Sequence, residues 1–407
     1  MTLARPCTST LHEPGADAGS AGLISRRAPA DGVIARLRGE GATPEAIDRL
    51  LAENPVPIVN GPSCTFLWRG AADAVAIEHR VVGLAAPLAL RRLSGSDLWY
   101  ATVTLPRGAR VEYRVLIRRG TDVESVLDPL NPREATGPLT TASVLEADGY
   151  ATPDWAIADP EVVPGALTDI TVPSRQLKRD VRVNLYAPAR AGKHDRVPLV
   201  IVHDGTDYLK YAGMGTVLDN LMGRRLMADS VVAFVDPADR FVEYGASRRH
   251  SRFLTKELVP KLERTLPVRG DPAGRVLVGA SLGAIAALTA ARQAPGFYGG
   301  LLLQSATFVY SMGGLRAGMD PKLDAVVKFV EGIREHPTLV ADRIFQSIGA
   351  FEPSAARNRA MATTLRAMAT QLRVEEGLDG HTWIGWRDLL LDGLTWLLPG
   401  GTQHIHP

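Results

Sequence analysis

A chain of 407 residues with 45 % hydrophobic and 22 % charged side chains has the composition of a globular protein able to bury more than one core. Its formal charge of +2 gives no basis for a partnership with nucleic acid or with an anionic membrane. The two cysteines, Cys7 and Cys64, make neither a disulfide framework nor a metal-ligand spacing, so no resident metal or cofactor is expected.

Residues 1–30 are rich in Gly, Ala, Ser and Pro without a hydrophobic period and read as a mobile tail. The N-terminus has no apolar h-region of signal-peptide length, and no later stretch reaches the roughly 18 apolar residues of a spanning helix. A cytoplasmic protein is therefore expected. TPEAIDRLLAEN predicts a short helix, with Thr43 as N-cap and Pro44 at the first helical position. Residues 1–55 are thus a tail and a helical lead-in.

Over 56–155 the texture changes to short strands: CTFLWRG, AVAIEHRVVG, DLWYATVTLP and VEYRVLIRRG, separated by Gly, Pro, Ser and Asp. That spacing predicts a small all-β, immunoglobulin-like sandwich. DPLNPREATGPL reads as connecting chain, and ATPDWAIADPEVVPG as a linker. Over 156–400 strands alternate with helices. LTDITVPSRQ and RDVRVNLYAP suit an antiparallel opening pair; VPLVIVHDG, SVVAFVD, RVLVGAS, GGLLLQSA and DRIFQSIGAF suit buried parallel strands. HSRFLTKELVPKLERTL and AIAALTAARQ are helical candidates between them. The pattern predicts a doubly wound α/β domain.

The chemistry concentrates in RVLVGASLGAIAAL, Arg275 to Leu288. Gly279–Gly283 fits G-x-S-x-G between an apolar strand and a small-residue helix, which would hold Ser281 on a strained turn as a nucleophile. The Leu282 amide would then face a developing oxyanion. Downstream of Ser281, His404 and His406 sit in the terminal GGTQHIHP, and His381 lies in a Gly-flanked loop before an amphipathic helix. His381 is the expected base. The acid is expected at Glu352, at the end of the FQSIGAFEP strand. Asp379 competes, but a carboxylate two residues from the imidazole tends to point away from it. A second oxyanion amide is expected from Gly205 or Thr206 in VHDGTDYL. His203 and Asp204 beside them read as structural. In DPADRFVEYGASRRHSRF, Arg240, Arg248 and Arg249 are candidates for a rim that grips an anionic or oxygen-rich ligand, while Arg240 and Glu243 are spaced to pair.

With these residues in place the chain resembles the enterochelin esterase family, hydrolases of ferric siderophores. The resemblance rests on TFLWRG, SGSDLWYATVTLP, VEYRV and DPLNP in the first part. In the second it rests on VHDGTDYL, LDNLM, DPADRFVEY, KELVPKLE, VGASLGA, GAFEP with Asn358, and DGHTWIGWRDLLLDGL. It implies an esterase D-like α/β-hydrolase domain behind the sandwich, with Ser281 as nucleophile, His381 as base and Glu352 as acid. It also implies a small-molecule ester substrate, a ferric catecholate siderophore of enterobactin type, whose trilactone is hydrolysed to release iron. Gly283-Ala284 stands where many relatives have Gly-Gly, and Thr382 follows His381 where Asp is common. Rival readings are an esterase or acyltransferase acting on a feruloyl or acetyl group, and a non-catalytic binding protein that keeps the fold.

Overall fold

The computed structural model describes residues 32–190, 196–310 and 320–401. The tail read over 1–30 lies outside the described residues, as do His404 and His406. Two helices come first, α1 (Gly32–Gly39) and α2 (Pro44–Glu53). Pro44 opens α2, and the Thr43 hydroxyl accepts a hydrogen bond from the Ala46 amide at 3.3 Å. The first helix was not legible, because GVIARLRG is barely two turns between glycines. Ile34, Leu37, Ile47 and Leu50 are buried against Leu67, Leu93 and Leu98 of the following sheet, so the pair covers an apolar face that water would otherwise reach. Ile47→Ala, in a site that is 1 % exposed, is expected to cost about 2–4 kcal/mol, read as a lower urea midpoint at unchanged slope.

Ten strands follow: β1 (Ile58–Asn60), β2 (Ser63–Arg69), β3 (Ala74–His79), β4 (Leu88–Ala89), β5 (Arg91–Arg92), β6 (Leu98–Thr104), β7 (Arg110–Arg119), β8 (Asp122–Val126), β9 (Glu134–Thr136) and β10 (Thr141–Glu146). They form two antiparallel sheets, ordered β1-β2-β6-β5 and β4-β3-β7-β10-β9, with β8 on β7. Alternating residues of both sheets, among them Phe66, Trp68, Ile77, Trp99, Val115 and Leu145, fill one core. The segment read as connecting chain is built differently. Asp128 and Asn131 of DPLNP are buried, and the Tyr113 hydroxyl donates to Asp128 Oδ2 at 2.6 Å. Asn131 Nδ2 donates to the Tyr113 oxygen at 3.0 Å and to the Val144 carbonyl at 2.8 Å, while its Oδ1 accepts the Arg133 amide at 3.0 Å. Burial pushes the Asp128 carboxyl above its ordinary range. This polar staple reverses the chain into the β9–β10 hairpin.

The second unit is an eight-stranded sheet: β11 (Ala166–Ser174), β12 (Arg179–Ala187), β13 (Leu199–His203), β14 (Val231–Val235), β15 (Arg275–Ala280), β16 (Gly300–Gln304), β17 (Ala341–Gly349) and β18 (Ala369–Gly377). Its order is β11-β12-β14-β13-β15-β16-β17-β18. The first two strands run antiparallel, β12 meets β14 antiparallel, and the pairings from β14 onward are parallel. Among the described residues ten helices connect the sheet: α3 (Gly205–Tyr211), α4 (Met214–Gly223), α5 (Arg240–Tyr244), α6 (Arg248–Arg252), α7 (Val259–Thr265), α8 (Leu282–Gln293), α9 (Asp324–Glu335), α10 (Ala355–Met368), α11 (Trp383–Asp388) and α12 (Leu390–Leu397). Residues of α7, α8, α9 and α10 pack on one face, and those of α4 and α12 on the other. This is an α/β-hydrolase architecture behind an all-β unit.

Two elements depart from the sequence reading. The stretch read as one helix from His250 divides into α6, a π-wound turn at Phe253–Leu258, and α7. Pro260 near the start of α7 has no amide to continue the regular ladder. Strand β18 was missed because ATQLRVEEG is an edge strand, largely half-buried or exposed. The two units touch directly: the Arg110 amide donates to the Leu378 carbonyl and the Val82 amide to the Phe351 carbonyl, each at 2.9 Å.

Candidate active site

Strand β15 is buried along its whole length and ends at Ala280. Ser281 follows with φ 56° and ψ −119°, a conformation that side chains rarely adopt, and Leu282 opens α8 at once. Gly279 is required here, since a Cβ on it would lie 2.3 Å from the Gly283 backbone. The Ser281 amide donates to the Gln304 carbonyl at 2.9 Å, and its hydroxyl shares a hydrogen bond of 3.0 Å with Thr307 Oγ1.

His381 stands in the loop between β18 and α11, about one-third exposed, with its ring edge-on to Trp386 at 5.0 Å. Its Nδ1 lies 2.7 Å from Glu352 Oε2, a fully buried carboxylate at the turn after β17. The Asp379 carboxylate is engaged elsewhere. Its Oδ2 accepts from Arg110 Nη1 at 3.1 Å, and its Oδ1 accepts the Gly380 amide at 2.6 Å. Burial raises the Asp379 carboxyl to about 6, against the pull of Arg110 in the other direction. Arg110 also holds Glu112 at 2.9 Å, so a residue of the sandwich braces the loop that carries His381.

Gly205 opens α3 immediately after Asp204, whose φ is 53°. A Cβ at Gly205 would meet Phe234 Cβ at 2.4 Å, so only glycine lets the chain pass. Thr206 requires a correction. Its amide donates to Asp236 Oδ1 at 3.1 Å and its hydroxyl to the same carboxylate, which leaves no free donor there. His203 is fully buried, with Nδ1 donating to the Val278 carbonyl at 2.9 Å, and burial pushes its pKa down to about 4, so it stays neutral.

The arginines separate. Arg240 pairs with Asp204 through Nε at 2.8 Å and Nη2 at 2.7 Å, while Glu243 is held by Arg179 at 2.9 and 2.8 Å. The expected Arg240–Glu243 pair is therefore replaced by two others. Arg240 faces the site; Arg248 and Arg249 do not line it. Ser247 caps α6 by accepting the His250 amide at 3.4 Å, and this new helix turns Arg248 into a different groove.

Ser281, His381 and Arg240 open into a cleft of about 1110 Å³. One wall comes from α3 and α11, with Lys210, Tyr211, Trp383 and Arg387. The opposite wall comes from the sandwich, with Arg80, Arg133 and the β9–β10 hairpin, whose tip residue Leu139 is 94 % exposed. Arg133 is the residue after DPLNP, a position that the motif could have flagged. Arg80 and Lys210 have no carboxylate within ion-pair distance among the described residues, and the same lining also carries Glu134 and Asp207, so the cleft presents charges of both signs. A hydroxyl on a strained turn, an imidazole held by a buried carboxylate, and a helix N-terminus are the parts needed for nucleophilic acyl transfer.

Comparison with known proteins adds to this geometry. The family model described as "Putative esterase" matches residues 174–397, and that described as "Enterochelin esterase, N-terminal" matches residues 63–155. An iron(III) enterobactin esterase of Dickeya dadantii is 26 % identical over 347 residues, covering 77 % of this chain and 80 % of the relative. The protein of that description from Escherichia coli strain K12 is 25 % identical over 336 residues, covering 76 % and 81 %. The crystal structure of a ferric enterobactin esterase from Salmonella typhimurium superimposes with a TM-score of 0.67 at 21 % identity, over 82 % of this chain and 93 % of that one. That last likeness is one of fold.

Proposed function

The chain belongs to the esterase family and carries the N-terminal unit of enterochelin esterases, so it is a carboxylic-ester hydrolase; on that premise we propose that it cleaves the trilactone backbone of a catecholate siderophore of enterobactin type. The observation that carries the choice of substrate is the cleft itself, in which the sandwich supplies the wall facing Ser281. Similarity to the named esterases along about three quarters of the chain supports the same reading.

In the proposed mechanism Ser281 Oγ leaves Thr307 and attacks an ester carbonyl while His381 Nε2 takes its proton. Glu352 holds the imidazole through Nδ1 and stabilises the imidazolium. The amides of Leu282 and Gly205 receive the oxyanion. His381 returns the proton to the departing serine hydroxyl, and water resolves the acyl-enzyme by the same steps. Arg240, Arg80, Arg133 and Lys210 supply positive charge to catecholate oxygens, with iron arriving as the cargo of the substrate. Cutting the three esters in turn opens the ring and then separates the linked catechols, which removes the effective concentration that holds the metal and frees it in the cytoplasm.

The test is digestion of enterobactin, iron-free and ferric, followed by mass spectrometry against a sample blocked with a serine-directed fluorophosphonate. Stepwise release of the linear trimer, dimer and monomer of dihydroxybenzoylserine is expected. Cleavage of a simple activated ester with neither form of enterobactin touched would move the substrate to another ester. Saturable binding with no turnover of anything would indicate a binding protein.

A further inference from the structure

Arg248, which turns away from Ser281, faces a second concavity. A groove of about 1120 Å³ lies between α6 with its π-wound extension, the C-terminal end of α8, and α9. Arg248, Arg252, Lys256, Arg292 and Lys328 line it, and no Asp or Glu among the described residues does. None of its lining residues is shared with the catalytic cleft. Five cations in one groove stand out in a chain whose total charge is only +2.

Local structure does not account for them. Arg248, Arg252 and Lys256 recur every four residues and so share a face, and like charges at that spacing weaken a helix. Among the described residues Arg248, Arg252, Lys256 and Lys328 have no ion-pair partner, and Arg292 donates only to the His336 carbonyl, at 3.1 Å. Repulsion among them goes unrelieved in the free protein, and a concave wall focuses the resulting potential. The cations come from three separate elements, which suits a ligand carrying several anionic groups along its length better than one lone carboxylate. Guanidinium forks match phosphate oxygens in pairs, lysines add point charge, and Phe329 offers an apolar flank.

We propose that this groove is a second ligand site, separate from the esterase cleft, that binds the oligophosphate group of a small molecule. The test is calorimetric titration of the full chain with tripolyphosphate and with ATP at about 150 mM NaCl, where weak surface attraction is screened. Wild-type protein is expected to bind with Kd on the order of 10–100 μM, and Arg252→Ala combined with Lys256→Ala to weaken binding at least about tenfold. Lys210→Ala, in the catalytic cleft, should leave the titration unchanged, and the double variant should keep wild-type hydrolysis of an activated ester as evidence of folding. Equal affinity for both probes would make the phosphate chain the ligand, whereas tighter ATP binding would add a base stacked on the groove wall. Absence of binding, or binding that Lys210→Ala abolishes and the double variant retains, overturns the site.

Discussion

Ser281→Ala is expected to lower kcat for ester hydrolysis by about 10⁴–10⁶-fold, because the proposed covalent route then has no nucleophile and only positioning and the oxyanion amides remain. The backbone at this position makes the substitution informative. Ser281 occupies φ 56° with its amide on the Gln304 carbonyl, and alanine keeps that bond, so the fold should survive. Glu352→Gln should cost about 10³–10⁴-fold, since a buried amide can present the wrong group to His381 Nδ1 and cannot stabilise the imidazolium. The two losses should fall far short of adding in the double variant, as expected of residues that act as a unit. Steady-state kinetics on an activated ester, with thermal melts of each variant, read the result. Residual kcat within about tenfold of wild type for Ser281→Ala, in a folded protein, would remove Ser281 from the chemistry.

Arg110→Met is expected to be the most damaging single change outside the proposed triad, at about 3–5 kcal/mol of stability at pH 8. Arg110 and Asp379 are both almost fully buried, and the variant leaves Asp379 without its counter-charge. The pH dependence has a definite sign. Burial holds the Asp379 carboxyl at about 6 in the folded protein, above its ordinary value. The folded state therefore keeps a proton that the unfolded chain releases, and this group's contribution to stability is present at low pH and lost as pH rises through about 6. Removing Arg110 takes away the charge that pulls the value down, so the penalty grows above pH 6. At pH 5 Asp379 is largely protonated with or without Arg110, and the deficit should shrink. Urea melts at the two pH values measure the difference, and equal deficits would show that Arg110 acts by packing alone. Adding Asp379→Asn to the variant should recover much of the loss.

The catalytic candidates were legible because their geometry is written locally. Gly279 is demanded because a Cβ there would lie 2.3 Å from the Gly283 backbone, a Cβ on Gly283 would lie 3.1 Å from His203 Cβ, and a serine between them follows from the strand and helix on either side. Glu352 could be found as the acidic residue just beyond the end of an apolar strand. What failed was information about direction and partners. Whether Arg240, Arg248 or Arg249 reaches the site depends on where Ser247 restarts a helix, and a run of charges does not encode that phase. The Thr206 amide was lost to Asp236, a residue 30 positions away. The Arg110–Asp379 pair joins residues 269 positions apart, and only the packed units reveal it. The β9–β10 hairpin escaped because DPLNPREATGPL has the composition of a linker, and its order comes from Tyr113 and Val144 elsewhere in the sandwich.

That hairpin has a consequence for how this enzyme can diversify. In the proposed function chemistry and selection fall on different parts of the chain, the first on the hydrolase sheet and the second partly on a short loop held at its base by Asp128 and Asn131. Insertions or exchanges at Gly137–Thr140 are expected to reshape one wall of the cleft without disturbing the strained turn at Ser281 or the buried Glu352 carboxylate. A lineage can therefore explore new cargo by editing one exposed tip, and a protein engineer can graft that tip while leaving the reaction machinery alone.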